Sequence, residues 1–230
     1  MLIVINKEKE MPTYEGLRLK ILKIRREKLS TIRRKKLQIS SFTIISNNCW
    51  GGMIYESYNL VKQSPTIGMF FFPSDYIKFI SNLKFYIESP LKQISLDESK
   101  WKTYLIDNNY NINCPIVKLN DVELFCLHYK SFNEVVDKWQ RRCNRINWNK
   151  IIYKFNDQNG CTETDLKKFI QLPFENKIFF TCKDWIIKSN CIIKIRQFPK
   201  HDSIMASYEP FGKNRYLNID ELINNLGGEK

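Results

Sequence analysis

The chain has 230 residues, 43% of them hydrophobic and 13% aromatic, which is enough apolar surface for one folded domain and too much for a disordered chain. Its net charge is +13, and its seven cysteines are never closer than nine positions, so no CxxC pair suggests zinc and reduced structural thiols are expected. Met1-Leu2-Ile3-Val4-Ile5 runs directly into charged residues, unlike a secretory leader, and no apolar run approaches the roughly 20 residues that span a bilayer. A cytoplasmic protein is expected, with peripheral attachment to the inner face of the membrane left open.

The charge is concentrated early. Leu17 to Ile39 holds ten Lys or Arg against the single acid Glu27, with Leu17, Ile21, Ile24 and Ile32 near helical spacing, so residues 1–39 are expected to form a basic amphipathic helical segment ahead of a single α/β domain over 40–230. Three roles fit this helix: lying on an anionic membrane surface, binding nucleic acid, or packing its Leu/Ile stripe on the body and solvating its charges. Nucleic acid is the weaker candidate, because the segment lacks interleaved aromatics and no binding module follows.

Phe42-Thr43-Ile44-Ile45 reads as a buried strand, followed by the turn Ser46 to Gly52 and a helix over Met53 to Gln63. Ile67 to Phe72 reads as a second strand, and Asp75 to about Ile87 as a helix with Ser74 as N-cap. Strands are expected at Tyr104 to Ile106, Ile116 to Leu119 and Val122 to Tyr129. Ser131 and Glu134 have the capping-box spacing for a helix reaching about Ile146. Strands at Ile151 to Phe155, Lys177 to Thr181 and Cys191 to Ile195, with helices at Thr164 to Gln171 and Ile219 to Leu226, complete the order. This alternation predicts a three-layer α/β fold with a mainly parallel or mixed sheet and flanking helices.

Ligands of open α/β sheets bind beyond the carboxyl ends of the strands, where the turn Asn47-Asn48-Cys49-Trp50-Gly51-Gly52 lies. Gly51 and Gly52 allow close backbone approach, Asn47 and Asn48 carry amide donors, and the next helix start favours an anion. A tight turn explains the glycines equally well. Neither GxGxxG nor a P-loop is present. Cys49 fits a nucleophile if the helix dipole lowers its pKa, but the sequence identifies no base for it, and a buried or hydrogen-bonding cysteine is the favoured reading. Asp75 fits either a base or a first-turn anion. His128 ends a buried strand, and Lys138, Arg142 and Arg145, with Arg141 beside them, form a basic helix face suited to a diphosphate or merely to solvent. No metal site is expected, and the sequence indicates no particular cofactor.

Taken together, Phe42 to Gly52 (FTIISNNCWGG), Ser64-Pro65-Thr66-Ile67, His128-Tyr129, Lys138-Trp139, Arg141-Arg142 and Arg145-Ile146-Asn147 resemble a bacterial family of unknown function associated with exopolysaccharide and capsule biosynthesis. The likeness spans about residues 40 to 225. It implies an α/β architecture and a place among envelope polysaccharide proteins, some of them labelled glycosyl or acyl transferases, and it brings no catalytic residue to carry over. The resulting expectation is a glycosyltransferase-like protein that binds a nucleotide sugar or another phosphate-bearing small molecule and acts on a lipid-linked acceptor. His128 or Asp75 would be its base, and Asn47, Asn48, Cys49, Gly51, Gly52, Lys138, Arg141, Arg142 and Arg145 would hold the substrate. An acyl or other group transferase and a noncatalytic membrane-surface assembly protein are the alternatives.

Overall fold

A computed structural model describes residues 14–196 and 201–227; residues 1–13 and 228–230 of the expected segments lie outside them. In chain order the elements are α1 (Tyr14–Arg34), β1 (Thr43–Ser46), α2 (Trp50–Ser57), α3 (Pro73–Ser81), α4 (Leu83–Glu88), β2 (Leu91–Ile94), α5 (Lys102–Asp107), β3 (Ile116–Leu119), β4 (Val122–Phe125), α6 (Phe132–Cys143), β5 (Ile151–Asn156), α7 (Glu163–Gln171), β6 (Lys177–Thr181), β7 (Ile192–Lys194) and α8 (Ile219–Asn225). Strands β1-β5-β6-β7 make a parallel sheet, and β2-β3-β4 make a separate antiparallel one.

The parallel sheet is buried on both faces, which explains its near-continuous apolar strands. Ile44, Ile152, Ile178 and Phe180 point to one side, where α2 and α8 cover them with Trp50, Ile54, Tyr55, Ile219 and Ile223. Ile45, Phe155 and Phe179 point to the other, against Tyr76, Phe79, Val135, Trp139, Leu166 and Phe169 of α3, α6 and α7. Val117, Leu119, Val122 and Leu124 of the antiparallel sheet join this second core, whereas Ile116 and Phe125 face a third cluster with Phe70, Phe72 and Leu105.

The edge of β1 not paired to β5 is closed by side chains. Ile44 N donates to Tyr55 Oη at 3.1 Å, Tyr55 Oη to Phe42 O at 2.9 Å, and Ser46 N to Thr66 Oγ1 at 3.3 Å. These bonds pair backbone groups that would otherwise be buried without partners.

Several expected elements differ from the observed ones. Ile67 to Phe72 is no strand, because Gly68 at φ +80° turns the chain and only Phe70 bridges to Phe125. The segment instead joins the sheets, with Phe71 N donating to Asn47 O at 3.0 Å. Tyr104 to Ile106 lies in helix α5, where Leu105 alone is buried. The helix expected from Asp75 is α3 and α4, separated at Asn82, and it starts with Pro73 rather than a Ser74 cap. Ser131 does cap α6, its hydroxyl accepting from Glu134 N at 3.3 Å, although the Glu134 carboxylate takes Lys130 N rather than Ser131 N.

Helix α1 packs on α2 and on the segment 207–212, with arginines inward. Arg18 donates to Ser207 O at 2.9 Å and lies 3.8 Å over the Tyr208 ring, and Arg33 lies 5.3 Å over Phe211. Of the three roles considered for this helix, packing of Leu17, Ile21, Ile24 and Ile32 on the body is not what the structure shows, since all four are exposed.

Candidate functional site

β1 ends in a turn that swings the chain into α2, and Cys49 is the N-cap residue of that helix. Gly51 and Gly52 let α2 sit against the sheet. A Cβ on Gly51 would come within 3.2 Å of Ile44 Cγ2, and one on Gly52 within 3.0 Å of Ile67 Cγ2. Close packing places Cys49 at the mouth of a cleft of about 310 Å³. From the opposite wall, just beyond β4, His128 brings Nε2 to 3.2 Å from Cys49 Sγ. Gly68 holds this wall close, since a Cβ there would stand 3.3 Å from His128 Cβ and 3.1 Å from the Tyr129 ring.

Four cations line the cleft, Arg26 from α1, Lys62 from the loop after α2, and Lys138 and Arg142 from α6, with Glu56 as the one acid. Glu56 pairs with Lys62 at 2.9 Å, and Lys138 with Glu134 one helical turn away. Arg142 differs from both. It is 7% exposed and forms no ion pair among the described residues; one guanidinium nitrogen donates to Ile67 O at 3.1 Å and to Tyr129 Oη at 2.5 Å. Arg26 Nε is also buried, with no hydrogen-bond partner among the described residues. A buried guanidinium satisfied only by neutral oxygens leaves a net positive wall suited to phosphate or carboxylate.

Burial, followed by the negative charge of Glu209, pushes the Cys49 thiol up to about 12, and burial pushes the His128 imidazole below its ordinary value. The resting pair is therefore neutral thiol and neutral imidazole, and because both shifts oppose ionisation the thiol proton can pass to His128 only as the sulfur attacks a substrate.

Behind Cys49 lies a second polar cluster at the carboxyl ends of β1 and β5. Lys154 Nζ and Glu209 form an ion pair in which both side chains are 0% exposed. Lys154 also donates to Asn48 Oδ1 at 2.8 Å, and Glu209 accepts from Asn48 Nδ2 at 3.1 Å and Asn156 Nδ2 at 2.8 Å. Asn47 Nδ2 donates to Asn156 Oδ1 at 2.8 Å. Burial pushes Lys154 down and Glu209 up, and their mutual attraction opposes both shifts. This node fixes the turn whose next residue is Cys49.

The expected site residues thus fall into groups. Cys49, Gly52, His128, Lys138 and Arg142 line the cleft together. Asn47 and Asn48 turn their amides into the buried node, and Gly51 is packed under Ile44. Arg141 and Arg145 are exposed and outside the cleft lining. Asp75 is occupied elsewhere, accepting from Lys100 Nζ at 2.5 Å, Trp101 Nε1 at 2.8 Å and Glu123 N at 3.1 Å, so its carboxylate pins α3 to the antiparallel sheet. Arg26, Lys62, Glu56, Lys154 and Glu209 were not singled out in the sequence. Among the described residues no group of three or more His, Cys, Asp or Glu is placed to hold a metal ion.

Residues 20–226 match the model of a family described as a domain of unknown function, DUF1919. The chain belongs to that family. The matched span begins within α1, so most of the basic helix lies inside it rather than ahead of it. An uncharacterised protein of Haemophilus influenzae is 30% identical over 190 residues, which cover 82% of this chain and 84% of the relative. No helix among the described residues is long and apolar enough to cross a membrane.

Proposed function

We propose that the protein is a thiol-dependent group transferase, in which Cys49 is the nucleophile and His128 the general base, acting on an acyl donor that carries a phosphate or similar anionic group. The observation that carries this reading is the 3.2 Å approach of Cys49 Sγ to His128 Nε2 inside a cleft walled by Arg26, Lys62, Lys138 and Arg142. Cysteine chemistry needs an adjacent base when the thiol is not already ionised, and the neutral pair supplies one. His128 takes the Sγ proton as sulfur bonds to the acyl carbon; the donor's leaving group departs with that proton. An acceptor hydroxyl or amine, deprotonated by His128, then attacks the thioester and regenerates the thiol. Arg142 and Arg26 hold the donor's anion, which aligns the carbonyl with the sulfur.

The cationic wall also favours a second reading, a phosphate-activated sugar whose acceptor hydroxyl His128 deprotonates while Cys49 only hydrogen-bonds to the imidazole. A role in exopolysaccharide or capsule assembly rests on the sequence resemblance alone. Incubation of the full chain with acetyl phosphate and with acetyl-coenzyme A, read by intact and peptide mass spectrometry, separates the two. An acetyl adduct on Cys49, absent in Cys49→Ala and much slower to form in His128→Ala, supports the thioester route. No adduct with any acyl donor, together with calorimetric binding of a nucleotide sugar that Cys49→Ala leaves intact, overturns it in favour of the sugar reading.

A further inference from the structure

The outer face of α1 is explained by neither the core nor the cleft. At about 100° per residue, Arg18, Leu22, Arg26, Leu29 and Arg33 share one face of the helix, and Tyr14, Leu17, Ile21, Ile24 and Ile32 share another about 120° round from it. The contacts settle which side faces the body. Arg18 and Arg33 stack over Tyr208 and Phe211, and Arg33 presses close enough to Gly212 that a Cβ there would meet its Nε at 3.0 Å. The apolar side is left in water, with Tyr14 73%, Leu17 49%, Ile21 48%, Ile24 42% and Ile32 57% exposed. An amphipathic helix normally turns its apolar side to the core. Here the core-facing side is rich in arginine, and the outward side carries Leu17, Ile21 and Ile24 as an apolar patch, flanked by the exposed cations Lys20 and Arg25 and followed by Lys28 on the same face.

We propose that this outward face docks the protein flat on an anionic lipid bilayer. Leu17, Ile21 and Ile24 enter the boundary between headgroups and acyl chains, and the bordering cations meet lipid phosphates. Charge complementarity selects this occupant. A second copy of the same face would set Lys20, Arg25 and Lys28 against their own like charges. Nucleic acid would place its phosphates against the patch's apolar centre, where α1 offers leucine and isoleucine. The bilayer satisfies both components at once, apolar centre and cationic rim. Because Arg26 reaches the cleft from the other face of the same helix, docking also fixes the cleft at a set height above the lipid surface. This inference stands on α1 alone and is independent of the chemistry at Cys49.

Flotation of the full chain with phosphatidylcholine vesicles, with and without phosphatidylglycerol, tests it. Binding is expected to the anionic vesicles and to be weak to the neutral ones. Leu17→Ser/Ile21→Ser/Ile24→Ser is expected to weaken binding on the order of a hundredfold while leaving the circular dichroism spectrum and melting temperature near those of the parent, since these side chains are exposed. Lys20→Gln/Arg25→Gln/Lys28→Gln is expected to abolish the preference for phosphatidylglycerol. A separate reporter, Ile21→Trp, is expected to shift its emission to the blue with anionic vesicles, which keeps the test decisive if the triple variant folds poorly. Unchanged flotation of the serine variant overturns the proposal. So does an absence of flotation with anionic vesicles, in which case tight duplex DNA binding that needs α1 cations, or a dimer that Ile21→Ser dissolves, would name the occupant instead. None of these results alters the acylation test at Cys49.

Discussion

Replacing Lys154 by methionine keeps the length of the side chain and removes its charge from a fully enclosed ion pair. Lys154 and Glu209 are both 0% exposed, so neither has water to fall back on. After the substitution Glu209 retains the amide donors of Asn48 and Asn156 at 3.1 and 2.8 Å but no counter-charge. An uncompensated buried charge of this kind costs about 3–5 kcal/mol, a large part of the roughly 5–15 kcal/mol that holds a domain folded. For a chain of this size that corresponds to a fall in melting temperature of about 6–20 °C. The deficit has a pH signature. Burial raises Glu209 above its unfolded value, so protonation relieves the orphaned carboxylate, and the difference between Lys154→Met and the parent is expected to shrink as pH falls towards 5. The double variant Lys154→Met/Glu209→Gln removes both charges and is expected to be more stable than either single variant implies. Urea unfolding of the four proteins closes the cycle. Additive losses, or a single variant that melts within about 2 °C of the parent, refute the reasoning.

Other outcomes follow from the cleft. Arg142→Gln is expected to weaken protection of Cys49 from alkylation by pyrophosphate about tenfold or more, while Arg141→Gln leaves it unchanged; equal effects would contradict the assignment of the cationic wall. Gly68→Ala places a Cβ at φ +80° against Tyr129 and His128, so it is expected to cost about 1–3 kcal/mol in urea unfolding and to slow Cys49 acylation beyond what the stability loss explains. Ser131→Ala removes the α6 cap and is expected to cost about 1 kcal/mol, measured by the same unfolding, with acylation unchanged.

The parallel sheet was legible in the sequence because its strands are buried on both faces, so Thr43 to Ile45 and Lys177 to Thr181 stand out as apolar runs. The antiparallel sheet was harder to read. β2 has the burial of a half-exposed four-residue strand, and Tyr104 to Ile106 was too short for its helical period to show. Helical spacing put Lys138, Arg142 and Arg145 on one face, but α6 ends at Cys143, so Arg145 no longer shares that face. The glycine turn and His128 were identified separately, and their meeting could not be, since Cys49 and His128 are 79 positions apart. Lys154 drew no attention in the sequence because its partner, Glu209, lies 55 positions on in an irregular segment. Arg26 was read only as part of a charge run, for nothing local tells an inward cation from an outward one.

The most direct test of the central claim is the pH dependence of acyl transfer to Cys49 from p-nitrophenyl acetate in the parent and in His128→Ala. With a neutral thiol raised to about 12 and an imidazole lowered by burial, the rate is expected to be low in acid and to rise as His128 loses its proton below the ordinary imidazole value. It is then expected to stay level through neutral pH. His128→Ala is expected to remove that limb and about 10²–10⁴ of the rate. A rate that climbs only with direct thiol ionisation at high pH, and that His128→Ala leaves untouched, would contradict the pairing of Cys49 with His128.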